Sequence, residues 1–222
     1  MKKLLMMLSF AIFTNSLFAQ LNSLDPVGTG SAKMDKKKKI ELLTELMMGI
    51  NISNIVGGEI SNTELIGFLL GGGINAFNFS EQMGVRTEVI YSQQGAKSSY
   101  GENSYYSSTT TTRLNYLNVP VLAQYQTKSG FFAEAGLQPG ILLSAKQKRT
   151  SSGMGGSGTT NTDIKKDLKG FDLGLPLGVG YTYKKKVSVG ARFTPGLLKL
   201  SKTDGAVKQT NSVLSARLGY IF

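Results

Sequence analysis

The chain has 222 residues, 27 of them glycine, no cysteine, no histidine and a formal charge of +11. Without cysteine or histidine there can be no disulfides, no ordinary zinc site, no cysteine-linked lipid anchor and no histidine-based catalytic triad. The lysines fall mainly in expected turns, loops and the N-terminal tail, without interleaved aromatics. A nucleic-acid partner is therefore not expected, and attraction to anionic headgroups or plain loop solubility accounts better for the charge.

Met1-Lys2-Lys3, the apolar run Leu4 to Phe13 and Leu17-Phe18-Ala19 before Gln20 predict a secretory signal peptide over residues 1–19. The run is too short to span a bilayer as a helix, which takes ~20 apolar residues. Residues 20–44 are polar and carry the run Lys36 to Lys39, which predicts a flexible basic tail, periplasmic if the chain is exported. A short helical turn over residues 40–47 is an alternative for the end of that stretch. No helical period appears beyond it.

From about Leu46 the pattern has a period of two. Met48, Ile50 and Ile52 alternate with Gly49, Asn51 and Ser53. Residues 67–79 form a second strand, too rich in glycine to assign faces. Val85, Thr87, Val89 and Tyr91 alternate with Arg86, Glu88, Ile90 and Ser92. Leu117 to Tyr125, Phe131 to Gln138 and Phe171 to Thr182 repeat the pattern. So does Val187 to Thr194, where Arg192 stands among glycine and small hydroxyls. Leu214, Ala216, Leu218, Tyr220 and Phe222 close the series against Ser215, Arg217, Gly219 and Ile221. Eight such strands, most of them near the ~9–11 residues of a tilted bilayer span, predict an all-β fold over residues 45–222.

The connections alternate in length. Ser80 to Met83, Thr127 to Gly130 and Lys184 to Lys186 read as tight turns. Asn54 to Ile66, Gly95 to Thr112, Lys146 to Lys166 and Leu197 to Thr210 read as long polar loops. This alternation predicts an eight-stranded antiparallel transmembrane up-and-down β-barrel with short periplasmic turns and long outer loops.

One face of the strands is apolar, with aromatics toward its ends. Tyr125, Phe131, Tyr181, Tyr183, Tyr220 and Phe222 mark the short-turn end, and Tyr91, Tyr116 and Phe171 the loop end. The other face carries Arg86, Arg192 and Arg217 with Glu88, Glu134 and Asp172. Three charges of each sign in a barrel narrow enough to be filled by side chains predict an interior ionic network. An ion path or a binding site is the alternative use of the same six residues. Glycines at 136, 174, 178, 180, 190 and 219 would leave room for the long side chains.

Several segments, in order, resemble the PorT-like outer-membrane β-barrel family of Gram-negative bacteria. They are "RTEVIYSQQGAK" from Arg86, "YLNVPVLAQYQ" from Tyr116, "GFFAEAGLQPGILLSAK" from Gly130, "FDLGLPLGVGYTY" from Phe171 and "LSARLGYIF" from Leu214. The resemblance implies an integral outer-membrane barrel of about eight strands and says little about activity. The namesake is linked to a protein-secretion system with gliding and attachment functions. Leu218, Tyr220 and terminal Phe222 resemble the C-terminal signal read by the outer-membrane barrel assembly machinery.

Other motifs do not support a site. Gly153 to Gly158 spells GxGxxG, but inside a Ser/Thr/Gly-rich stretch with no helix to follow. Asp163, Asp167 and Glu102 have no calcium-loop spacing. No cofactor, metal or enzymatic activity is expected. The expected partners are outer-membrane lipid, the assembly machinery and an unknown envelope or extracellular protein, and the barrel is expected to be monomeric. Tyr100, Tyr105 and Tyr106, among serines and threonines, are candidate contacts in an outer loop. The competing architecture is a secreted lipocalin-like barrel, whose interior would be apolar and whose exterior would be polar.

Overall fold

The computed structural model describes residues 44–57, 62–78, 80–103, 106–153, 156–203, 205 and 207–222. The expected signal peptide, and the expected tail apart from Thr44, lie outside these. Thr44 to Met47 are extended, so the alternative of a helical turn fails there: Glu45 and Met47 point to one face and Leu46 and Met48 to the other, a period of two.

Eleven strand segments follow one another. They are β1 (Thr44–Val56), β2 (Thr63–Asn78), β3 (Met83–Asn103), β4 (Tyr106–Asn118), β5 (Val121–Gln126) and β6 (Phe131–Gly153). After them come β7 (Gly156–Asp163), β8 (Phe171–Gly174), β9 (Leu177–Tyr183), β10 (Val187–Pro195) and β11 (Thr210–Ile221). They close into a ring of eight antiparallel staves. β4 with β5 makes one stave and β8 with β9 another, because Pro120 and Pro176 lack the N–H that a continuous ladder needs. The chain runs on regardless: Pro120 still accepts from Glu88 N at 3.1 Å, and Pro176 from Gly136 N at 3.2 Å. The ring shuts where β1 meets β11, with Leu46 opposite Tyr220 and Ile50 opposite Ala216.

The three tight turns fall between β2 and β3, β5 and β6, and β9 and β10. In the last, Lys184 and Lys185 adopt φ of 47° and 57°, a left-handed turn closed by Lys186 N to Tyr183 O at 3.0 Å. Two expected loops are largely strand. Gly95 to Thr112 forms a hairpin between β3 and β4, with Ser99 opposite Thr109. Lys146 to Asp163 forms another between β6 and β7. Their Thr-rich sequences suit extended backbone. Both faces meet water at the outer end, so no apolar alternation announced the strands. Together β3, β4, β6 and β7 project from the loop end as a small sheet.

Apolar side chains point outward along the staves. Ile50, Phe68, Leu70, Val89, Leu137, Val179, Val189 and Leu218 are all exposed. This fixes the β2 faces that sequence left open: Phe68, Leu70 and Ile74 lie outside and Leu69 inside. Polar and charged residues line the lumen, the inverse of a soluble ligand-binding barrel. The lumen also holds two apolar layers that the polar-face expectation missed. Met47, Leu69 and Ile90 form one. Leu114, Tyr116, Leu142, Ala145 and Leu200 fill the loop-end mouth. Tyr116, expected in the outer girdle, is 1% exposed: it shares the inward parity of Leu114 and Asn118 and stacks in that mouth. Leu200 comes from a connection expected to be a long polar loop.

Candidate functional site

The short-turn half of the lumen is built around Glu88. Its side chain is 0% exposed and meets three guanidinium groups, Arg86 Nε at 2.6 Å, Arg192 Nη1 at 2.7 Å and Arg217 Nη1 at 3.3 Å. Glu134 takes the other faces of two of them, with Arg192 Nη2 at 2.7 Å and Arg217 Nη2 also in contact. Arg86 reaches further, to Glu45 Oε2 at 2.6 Å, and Glu45 accepts the hydroxyl proton of Ser188. The six charges sum to zero. They come from β1, β3, β6, β10 and β11, so one cluster ties opposite walls of the barrel together.

Period-two geometry explains how these chains converge. Arg86 and Glu88 sit two apart on β3, and Arg192 and Arg217 occupy inward positions on neighbouring β10 and β11. Missing side chains make the room. A Cβ at Gly178 would sit 2.6 Å from Glu134 Oε1, and one at Gly219 would overlap the Glu45 carboxylate. Charges so buried persist only when paired and hydrogen-bonded; each of these side chains has an opposite charge in contact, while Glu134 Oε2 and Arg217 Nε have no hydrogen-bond partner among the described residues.

Of the six residues expected in the network, five meet. Asp172 stands apart, near the loop end, where it accepts from Asn211 Nδ2 at 2.9 Å and from its neighbour Leu173 N at 2.9 Å. β8 enters from the loops, so Asp172 lies on the far side of the lumen's middle from Glu88. Glu45 takes the place given to it. Sequence reading began the period at about Leu46 but named faces only from Met48; extending the parity back through Met47 would have placed Glu45 inside.

Between the ionic cluster and the apolar mouth lies an uncharged polar layer. Asn51 donates to Ser92 Oγ and to Gln93 O, both at 2.9 Å, and accepts from Ser215 Oγ at 2.8 Å. The space left beside Arg192, Arg217, Ser92 and Gln138 is about 20 Å³, about enough for one water. The lumen is a packed core rather than a conduit.

The remaining sequence motifs resolve simply. Gly153 ends β6 and Gly156 opens β7, so strand rather than helix follows the GxGxxG string. Among the described residues, no three His, Cys, Asp or Glu side chains are grouped to hold a metal. Leu218, Tyr220 and Phe222 all face outward, with the rings of Tyr220 and Phe222 edge to face at 5.1 Å. Phe131 and Tyr181 pack at 4.9 Å in the same short-turn girdle.

A charged, filled lumen inside an apolar wall with an aromatic rim is the anatomy of a strand-crossing membrane protein. Residues 18–202 match the family described as outer membrane protein beta-barrel domain. The chain belongs to that family. This outer-membrane barrel is similar in fold to the attachment invasion locus protein Ail of Yersinia pestis, with 15% identity, a TM-score of 0.47, and coverage of 82% of this chain and 100% of that one. It is also similar to Neisserial surface protein A, with 15% identity, a TM-score of 0.48, and coverage of 81% and 97%. No curated protein matches the sequence. By the architecture of such barrels, the short turns face the periplasm and the projecting sheet faces outside.

Proposed function

We propose that this outer-membrane barrel is a non-enzymatic docking protein, acting as a monomer, that binds an envelope or extracellular protein through the sheet projecting from its loop end. The observation that carries the reading is the placement of accessible polar chemistry. The lumen is packed, whereas β3, β4, β6 and β7 continue beyond the barrel. Past Lys97 no pairing partner of β3 other than β4 is described, and β7 pairs with β6 alone. Such edges can accept an added strand. Lys97, Arg113, Lys146 and Lys148 share one exposed face of this sheet by register, and Asp163 is the one acid beside them. An acidic protein surface is the complementary partner. Tyr100, 81% exposed at the hairpin, adds a rigid amphipathic contact.

The absence of histidine and cysteine supports a non-catalytic role. The PorT-like resemblance adds a place beside a protein-secretion system, and the outward C-terminal Leu218, Tyr220 and Phe222 would be read by the assembly machinery. The test is to shorten both hairpins, replacing residues 98–110 and 149–160 by tight turns, and to measure binding of intact cells to extracellular-protein and envelope-protein arrays. The trimmed barrel should fold and lose binding. Equal binding by both forms overturns the reading.

A further inference from the structure

The outer wall is not smooth. On β5, β6, β9 and β10, near the short-turn end, lies an apolar groove of about 620 Å³. Ala133, Gly180, Gly190 and Ala191 line it, with the outward side chains of Val179 and Val189 standing among them. Small residues meet there across two strand pairs: Ala133 is opposite Val179, Val179 opposite Ala191 and Gly180 opposite Gly190. Tyr125, Phe131 and Tyr181 stand along the rim. The volume falls in the ~300–1,000 Å³ range of ligand sites.

The two turns that end this groove hold an unusual concentration of charge. The β5–β6 turn carries Lys128, and the β9–β10 turn carries Lys184, Lys185 and Lys186. All four are exposed, and neither turn has an acid. The third tight turn, between β2 and β3, carries Glu81 and no cation. Every other described lysine lies at the loop end. Among the described residues, the lysines of the short-turn end are thus confined to the side of the barrel where the groove lies. Lys184 begins three residues past Tyr181, about 10 Å along the strand. The girdle aromatics mark the interface, so the groove lies on its hydrocarbon side and the lysines on its headgroup side.

We propose that this groove and its lysine turns form a binding site for an anionic phospholipid. One acyl chain lies over Ala133, Gly180, Gly190 and Ala191, and the phosphate sits among Lys128 and Lys184 to Lys186. An acyl chain needs a shallow apolar trough where small side chains let it approach the wall. An anionic headgroup needs several cations at the level of the interface. The two requirements coincide at this one place on the wall. A second copy of this chain would suit the groove but not the four exposed cations at its end.

The test uses the full barrel refolded into vesicles of phosphatidylcholine mixed with phosphatidylglycerol of identical chains. It is then extracted gently, and the retained lipid is measured by native mass spectrometry. The wild type should retain phosphatidylglycerol at least fivefold over phosphatidylcholine. Lys128→Ser/Lys184→Asn/Lys185→Asn/Lys186→Ser should lose that preference. Ala133→Leu/Ala191→Leu, which fills the groove from the lipid side, should lose retention while keeping every charge. Lys166→Ser/Lys169→Ser/Lys202→Ser/Lys208→Ser, removing as many exposed cations at the other end and none from the docking face, should behave as wild type. Heat-dependent gel mobility and β-sheet circular dichroism check that each variant is folded. Equal retention of both lipids by the wild type, an unchanged preference in the turn variant, undiminished retention in the filled variant, or an equal loss in the loop-end variant each overturns the site. So does a lipid-free dimer cross-linked through the groove.

Discussion

Replacing Glu88 with leucine removes the one carboxylate that touches all three lumen arginines. Its partners lie at 2.6, 2.7 and 3.3 Å, and its side chain has no solvent contact. Arg86, Arg192 and Arg217 then face only Glu45 and Glu134, leaving one buried positive charge unmatched. Removing one partner of a buried ion pair costs about 3–5 kcal/mol. Arg192→Leu leaves the opposite imbalance, a surplus carboxylate, and should cost a similar amount. The double variant Glu88→Leu/Arg192→Leu restores neutrality: Arg86 keeps Glu45 at 2.6 Å, and Arg217 keeps Glu134. Two leucines also fill volume that an apolar pair can occupy without loss. The double variant should therefore return to within about 2 kcal/mol of wild type, although each single change is severe. The assay is urea unfolding of the refolded barrel in lipid vesicles, followed by β-sheet circular dichroism because the chain has no tryptophan. Each single change should lower the midpoint by about 1 M or more, and the double should recover most of that. A double variant whose loss equals the sum of the singles would show that charge balance is not what holds the cluster together.

Three further outcomes follow from the same geometry. Ile50→Arg, at an outward position midway along β1 that is 53% exposed, should cost about 2–4 kcal/mol in vesicle unfolding, whereas Ile50→Leu should be nearly neutral; equal costs would contradict the lipid-facing assignment. Lys185→Gly relieves a left-handed backbone at φ 57° and should raise stability by about 1 kcal/mol in the same titration; a fall would mean that the lysine side chain outweighs the backbone strain. In planar bilayers the wild type should show no large steady conductance, and Glu88→Ala/Arg192→Ala/Arg217→Ala should pass more current; a conducting wild type would contradict the packed lumen.

The sequence alone determined the stave count, the closing order, the three tight turns and the orientation of most side chains. Each of these follows from local alternation, and apolar residues such as Val189 and Leu218 repeat every second position strongly enough to fix a face. It also singled out Arg86, Glu88, Glu134, Arg192 and Arg217 as inward charges, because a charge on the lipid face is too costly to keep. What it could not determine was depth along the barrel axis. Parity tells inside from outside but not which level of the lumen a residue occupies, and that depends on the stagger between strands far apart in sequence. Asp172 and Glu134 look equivalent as strings, yet one meets Asn211 near the loops and the other meets Arg192 and Arg217 near the turns. The Thr-rich hairpins pair locally, Ser99 with Thr109, and escaped notice because both their faces meet water, whereas Glu45 joined the cluster and Leu200 entered the mouth because of that stagger. Their partners are supplied by closure of the ring, and no window of sequence contains both members of such a pair.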